Sequence, residues 1–478
     1  MSSKKWKIIS AIIMIIVIII MFSCFPYIFA RGNLAKAEAE YKKAGFATTA
    51  EEFENKYIKP APPEKCADIF LYKIEKIFTE ASNDEKLVIV GTAEKAYLDQ
   101  KLPEESQKYA REFLDKNKEY FSSISKVRDF PLISYNWHGG NKNLPRETSN
   151  IRHCIKRLAL AAEIAVIDNN RAKAFEILEA MFHICKSSTQ GPSAIEQLIN
   201  YANIAITNSV LERCFNNLQF NNDELLIIEK YCKDIEQLIF KAWPILWEFE
   251  TSVFKIPAEY DGFIKAYGLS SKEDKIIFTY YYYSGKIVNS LANEMINRKQ
   301  ILQHRLKTFS NYMKLYRSFR ASIYQFSFSQ QSKNISGKLF RQVALLRSIS
   351  TACAIERYQI KYGKIPTSLQ KLVPEFIRTL PVDPFNGKPL YYAQGDLKIK
   401  YHEIKAPEED TEAPDSMFAM SESTSVNTDK KYKIISKRGY YLLSVGKDLK
   451  QSSTDILKAY PSYPQEDIIT IVVDKNQR

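Results

Sequence analysis

An uninterrupted apolar run from Ile8 to Phe29 limits what this chain can become more than any other stretch. At 1.5 Å rise per residue, a helix over that run spans about 33 Å, enough to cross the hydrocarbon core of a bilayer. Lys4, Lys5 and Lys7 precede it, and Arg31 follows. This asymmetry predicts residues 1–7 as a cytoplasmic stub and the chain beyond the run as extracytoplasmic. A cleaved signal peptide is the rival reading, but the run exceeds the about 7–15 residues of a signal-peptide core. Ile28-Phe29-Ala30 also fits a small-x-small cleavage site poorly, and Met21-Phe22-Ser23 fits the approach to a lipidated Cys24 poorly. The expectation is a retained transmembrane anchor over 8–29, single-pass in the inner (cytoplasmic) membrane. The lipid bilayer is then the first partner.

The 478 residues leave room for two or three domains beyond the anchor. Only 15 glycines argue against glycine-rich cofactor loops and favour long helices. The 68 Lys+Arg against 55 Asp+Glu give a formal charge of +13, a field that attracts nucleic acid or anionic lipid. Ile, Lys, Asn and Tyr share A/T-rich codons, so part of that charge reflects codon usage. No compact basic motif stands out, and nucleic acid is not expected as a partner.

Residues 30–335 read as a helical domain. Thr48-Thr-Ala-Glu-Glu52 has the form of a capped helix start, Lys59-Pro-Ala-Pro-Pro-Glu64 breaks that helix, and Cys66 to Glu80 begins another. Between Asn150 and Phe215 the period is 3.6. Ile151, Cys154, Ile155, Leu158, Ala162 and Ala165 form one stripe; Ala174, Ile177, Leu178, Met181 and Cys185 a second; Ile195, Leu198, Ile199, Ala202, Ala205 and Ile206 a third. Asp168-Asn-Asn-Arg171 and Ser187-Ser-Thr-Gln-Gly-Pro192 separate them, which predicts antiparallel hairpins. Further helices are expected at about 222–243, interrupted by Pro244, and at about 286–327 and 337–362.

Several short patterns bear on chemistry. His183-x-Cys185 puts its two side chains about 200° apart on a helix, which rules out a shared ion. Ser123-x-x-Lys126 and Ser425-x-Asn427 echo serine acyl-enzyme motifs, but Lys-Thr-Gly is absent. Tyr280 to Tyr283 reads as part of a packed element. The cations from Arg298 to Arg320 read as a solvated face or as a surface for a partner or lipid headgroups. Cys154 and Cys185 lie at nearly equal distances from the expected turn at 169–170, so antiparallel helices set them level. Both are placed in the core, and a disulfide between them is the candidate cross-link in an oxidising compartment.

The C-terminal part, 336–478, carries the most specific wording. It contains Tyr362-Gly-Lys-Ile-Pro366, then Leu380-Pro-Val-Asp-Pro-Phe-Asn-Gly387, then Ser444-Val-Gly446 and Asp467-Ile-Ile469. In order and wording this resembles the C-terminal domain of the major pseudopilin of type II secretion systems. The opening of the extracytoplasmic part is similar to that of an uncharacterised group of membrane-anchored helical proteins of planctomycete- and lentisphaera-type bacteria. The resemblance implies a small α+β module: a helix over 337–362, a tight turn at Asp383-Pro-Phe-Asn-Gly387, and a short antiparallel sheet. Candidate strands are Pro389–Ala393, Leu397–Glu403, Tyr432–Ser436, Tyr440–Ser444 and Ile468–Val473, with a hairpin around Lys437-Arg-Gly439. An acidic, Ser/Thr-rich insertion at about 406–430 reads as a mobile loop. In pseudopilins the loop between Ser-x-Gly and Asp-Ile holds calcium, and Asp448 and Asp467 occupy the matching acidic positions. Leu449 stands where a glycine is expected, and the basic leader and processing site of a pilin are missing.

The fold class expected is therefore mainly α: a transmembrane helix, an extracytoplasmic helical bundle or hairpin array, and a small C-terminal α+β module. No acid, base and nucleophile converge in the sequence, and neither a cofactor motif nor a small-molecule substrate site is evident. The leading expectation is a non-enzymatic cell-envelope scaffold or interaction module with a protein partner. An accessory of a secretion or pilus-like assembly is the alternative, and an envelope hydrolase the second.

Overall fold

The computed structural model describes residues 25–57, 61–79, 86–90, 95–132, 146–191, 193–252, 325–402, 432–446, 457–458 and 468–474, with a few isolated positions. The protein is mainly helical with a small C-terminal sheet. Among the described residues no helix is long and apolar enough to cross a membrane; the apolar run up to residue 24, apart from Met14, lies outside them. So do Tyr280–Tyr283, the insertion from 405, Ser425 and Asn427. Nearly all of the expected 286–327 helix falls outside as well.

The chain divides into two compact units. One comprises Met1–Lys59, Trp243–Lys307 and Asn311–Asn334. In it, α1 (25–43) and α2 (Ala50–Tyr57) surround a buried carboxylate. Glu248 accepts from the Ala47 amide at 2.6 Å, Lys56 Nζ at 2.8 Å and the Tyr57 hydroxyl at 2.7 Å. The start of α2 is capped as its sequence predicts: Thr49 Oγ1 accepts from the Glu52 amide, and Glu52 Oε2 accepts from Thr48.

The second unit comprises Pro60–Ala242, Thr308–Ser310 and Ile335–Arg478, so the sheet shares one compact body with the helices of 60–242. It contains α3 (Ala67–Glu75), α4 (Glu104–Lys116), α5 (Lys118–Ile124), α6 (Arg146–Ile167), α7 (Arg171–Ser188) and α8 (Ala194–Phe215). Helices α6, α7 and α8 pack on one another, and α6 and α7 bury the stripes expected of them. The stripe expected of α8 is not its buried face: Ile195 is 40% exposed and Leu198, Ile199, Ala202, Ala205 and Ile206 are half-buried. The buried face carries Gln197, Asn200, Tyr201, Ile204, Thr207 and Leu211 instead, with Gln197 and Asn200 hydrogen-bonded to Thr189. Asn169 makes the α6–α7 turn at φ 51°, and Asn170 caps α7 by accepting from the Lys173 amide. Ser193 and Glu196 form a reciprocal capping box on α8.

Helix α9 (Asn222–Ser252) runs through Pro244 rather than breaking there. A proline inside a helix costs one hydrogen bond and about 3 kcal/mol. Leu246 and Glu248 beyond it are both 1% exposed, so tertiary burial overrides that local cost. Helix α10 (Gln325–Tyr362) ends at Tyr362, where Gly363 turns left-handed at φ 66°. Arg347 on Glu236 and Arg357 on Glu229 bind α10 to α9.

The sheet comprises β1 (Tyr391–His402), β2 (Tyr432–Ser444), β3 (Leu457–Lys458) and β4 (Ile468–Val473) in the order β3-β1-β2-β4. β1–β2 and β2–β4 are antiparallel, and the two-residue β3 is parallel to β1. The hairpin expected around Lys437-Arg-Gly439 is not a turn. β2 runs straight through it, and Gly439 pairs with Gly395 of β1. A Cβ at Gly439 would lie 2.3 Å from the Val472 carbonyl oxygen, so the glycine answers a close approach of β4. The true connection of the hairpin is the segment between His402 and Tyr432. Leu397, Ile399, Tyr401, Tyr441, Leu443, Ile471 and Val473 form the core of one face, closed by Leu98 and Leu457. The other face meets α10, where the Tyr440 hydroxyl donates to Glu356 Oε1 at 3.0 Å.

Candidate functional site

The turn singled out in the sequence organises the module. Asp383 is 2% exposed, and its carboxylate accepts three hydrogen bonds. They come from the Phe385 amide at 2.8 Å, the Ser444 hydroxyl at 2.9 Å and the Val445 amide at 2.9 Å. The first is the Asx turn of an Asp-Pro-Phe sequence; the other two fasten the turn to the end of β2. Asn386 repeats the device on Lys388, and Gly387 closes the turn at φ 76°.

Beside this turn opens a groove of about 470 Å³. Ser368 and Gln370 line it from the segment after α10, Lys388 and Tyr391 from the start of β1, and Val445 and Leu449 from the end of β2. Its lining mixes apolar side chains with hydrogen-bonding ones. The one carboxylate in the lining, Asp383, is spent on the turn.

A second polar centre joins β4 to the helices. Two side chains of α8, one helical turn apart, bind the edge of β4. Glu212 Oε1 accepts from the Ile471 amide at 2.7 Å. Asn216 accepts from the Val473 amide at 2.7 Å and donates to the Ile471 carbonyl at 2.9 Å. Four helical residues rise about 6 Å and two strand residues about 6.8 Å, which is why an i,i+4 pair can follow alternate strand residues. The next residue, Arg213, clasps Glu163 of α6 through Nε and Nη2, at distances down to 2.7 Å, and gives Nη1 to the Leu98 carbonyl at 2.6 Å. Asp99 in the same loop accepts from Tyr401 and Lys437 of the sheet.

Lys95 completes this centre, with Nζ 3.2 Å from Ser209 Oγ. Burial pulls its pKa down, against the pull of Glu212 and Glu163. Burial likewise pushes Glu212 up to about 7, against its bond from Ile471 and the charge of Lys95. Displaced carboxyl and amino groups side by side are a common mark of a chemical site, but here Glu212 accepts from the Ile471 amide and Lys95 donates to the Ser209 hydroxyl. Sequence reading missed this centre. The only signal was a Glu212-Arg213 pair inside the apolar end of a helix, between Leu211 and Cys214.

The expected site residues fare unevenly. Asp448 is exposed next to Leu449, and Asp467 lies outside the described residues. One described carboxylate falls short of the about six to eight oxygens that calcium takes. Leu449 nevertheless adopts φ 61°, the left-handed backbone expected of the glycine it replaces. Among the described residues no group of three His, Cys, Asp or Glu side chains is arranged to hold a metal ion. Cys154 and Cys185 are both buried, but as free thiols rather than a disulfide. Cys154 meets Tyr120 of α5, and Cys185 lies 3.5 Å from Thr207 of α8. Spacing in the sequence does not set the side to which each sulfur points. Burial pushes both thiols up to about 12. His183 is buried against the Phe130 carbonyl at 3.0 Å. Lys126 is exposed, unlike the desolvated lysine an acyl-enzyme needs. No protein-family model, curated protein or solved structure matches this chain.

Proposed function

We propose that this chain is a non-enzymatic cell-envelope protein, anchored in the inner membrane by residues 8–29, whose extracytoplasmic part is a scaffold and protein-interaction module. The observation that carries this reading is the contrast between the two polar regions of the second unit. The centre with the displaced groups is committed to holding β4 and the 95–100 loop on the helices. The groove beside the Asp383 turn is open, and its mixed lining suits a polypeptide segment better than bond-making chemistry. Capture of partners from solubilised membranes tests the reading. Tyr391→Ala with Lys388→Glu, both on the groove, should lose the partner that the unsubstituted chain retains; an unchanged set of captured proteins would remove the groove from consideration. Protease added to spheroplasts should digest the large domain, and its survival would defeat the topology.

Two other readings each have one observation in their favour. An accessory role in a secretion or pilus-like assembly gains support from the sequence of helix, Tyr362-Gly363 stop, Asp-Pro turn and antiparallel sheet, and from the left-handed Leu449. Pilin-assembly proteins among the captured partners would favour it. A hydrolase gains support from the Lys95–Ser209 contact. Ser209 lies within α8, however, where the amide N–H groups serve the helix and offer no oxyanion donors. Labelling of Ser209 by a fluorophosphonate would revive that reading.

A further inference from the structure

Helices α9 and α10 run antiparallel, clamped by two ion pairs. Arg357 Nη2 meets Glu229 Oε2 at 2.7 Å, and Arg347 Nη2 meets Glu236 Oε1 at 2.7 Å. Between these rungs each helix carries one cysteine. Cys232 lies a little under halfway from Glu229 to Glu236, and the matching level on α10 is about four residues before Arg357, the position of Cys353. Cys232 is 1% exposed and Cys353 0% exposed. Both are free thiols pushed up by burial, and for Cys353 the neighbouring Cys232 adds to that ahead of Glu229 and Glu356. Across helix axes about 8–10 Å apart, Cα atoms that face directly stand about 3.4–5.4 Å apart, since each lies about 2.3 Å from its axis. That range overlaps the about 4.4–6.8 Å of a disulfide.

We infer that Cys232 and Cys353 are a disulfide pair that staples α9 to α10. The inference rests on the extracytoplasmic placement proposed above, because the oxidant is a disulfide carried by an exchange partner of that compartment. One cysteine thiolate attacks the partner's disulfide, forms a mixed disulfide and releases one partner thiol. The second cysteine then attacks the sulfur of the first and releases the other. The two cysteines are oxidised, the partner's disulfide is reduced, and the two protons end on the partner's thiols. The exchange takes place on the folding chain, since burial in the closed helix pair leaves little thiolate. The link closes a loop of roughly 120 residues, and longer loops gain more from closure. Most of that loop, Trp243–Lys307 and Asn311–Asn334, belongs to the first unit. The staple therefore ties the place where the chain leaves the second unit to the place where it returns.

The full chain taken from membranes and quenched in acid has its thiols capped by N-ethylmaleimide in denaturant, and its unreduced peptides are mapped by mass. A peptide pair joined through Cys232 and Cys353 is expected. Unfolding the chain in reductant and refolding it with oxidised and reduced glutathione should restore the link outside any compartment. A link in the refolded chain alone retains the pair and overturns the extracytoplasmic reading. Capped thiols at both positions in both preparations, or either cysteine joined to a different one, overturn the inference. Stability gives a second readout. Reductant should lower the denaturation midpoint of the unsubstituted chain and leave those of Cys232→Ala and Cys353→Ala where they are. A fall as large in both variants would mean that no link between these two residues holds the helices.

Discussion

The sheet is fastened to the rest of its unit at two places built on opposite plans. At Asp383 a single buried carboxylate gathers three neutral donors, one from its own turn and two from the end of β2. At the α8–β4 contact, four ionisable side chains from distant parts of the chain converge: Lys95, Glu163, Glu212 and Arg213. The first plan needs no counter-charge, since hydrogen bonds to an ion compensate much of its lost hydration. The second depends on partners, because a buried ion that loses its counterpart keeps its full desolvation cost. The comparison teaches that burial alone does not rank polar groups; what matters is whether each partner survives the loss of the other.

The largest effect should follow from breaking the ion pair on one side. Arg213→Ala leaves Glu163 buried without its cation and should lower stability by about 3–5 kcal/mol, whereas Glu163→Leu with Arg213→Leu should recover most of that. Denaturant titration of both variants decides, and equal losses would show that packing around Leu98 matters more than charge. Asp383→Ala should cost somewhat less, about 2–4 kcal/mol, by leaving three donors without an acceptor. Its signature is faster amide exchange at Phe385 and Val445, with β4 unaffected. Gly387→Val tests the same turn through its backbone; at φ 76° the strain should cost roughly 1–3 kcal/mol, and an unchanged melting temperature would contradict it.

A pH slope tests the α8–β4 fastening more gently. Glu212 holds its proton more tightly when folded, at about 7 against an ordinary 4.5. The folded state then binds more protons than the unfolded one between those values, so this group's contribution to stability falls as pH rises from 4.5 to about 7. Lys95, pulled below its ordinary value, acts with the opposite sign on the alkaline side. Glu212→Gln should flatten the acid-side slope; a slope unchanged in that variant would refute this assignment. The smallest change expected is Leu449→Gly. Relief of a left-handed leucine and the greater freedom of glycine in the unfolded chain nearly cancel, leaving a shift under about 1 kcal/mol.

Legibility followed the range of the interactions. The α6–α7 hairpin, the Ser193 cap, the stop at Tyr362-Gly363 and the Asp383 turn are each set by residues within a few positions of one another, and each stands where its residues put it. The buried face of α8 does not follow its apolar stripe, because polar side chains such as Gln197 and Asn200 are buried by hydrogen bonds to Thr189. At Lys437-Arg-Gly439 a glycine beside two charged residues has the composition of a turn, yet the strand runs through, and it is the passing Val472 carbonyl that requires the glycine. The groove was legible only by half. Its turn could be named from Asp383 to Gly387, but Ser368, Val445 and Leu449 meet there through sheet pairing and the placement of α10.

By itself, the sequence determined the caps and stops, the tight turn and the buried stripes of α6 and α7, because backbone dihedrals are decided locally and those two stripes are apolar throughout. Tertiary structure alone decided that α8 would bind the edge of β4 through Glu212 and Asn216, that Leu98 and Asp99 would close the sheet, and that Cys154 and Cys185 would face different helices. These depend on which surfaces come together across separations of up to several hundred residues. The desolvation that displaces Lys95 and Glu212 exists only once they have.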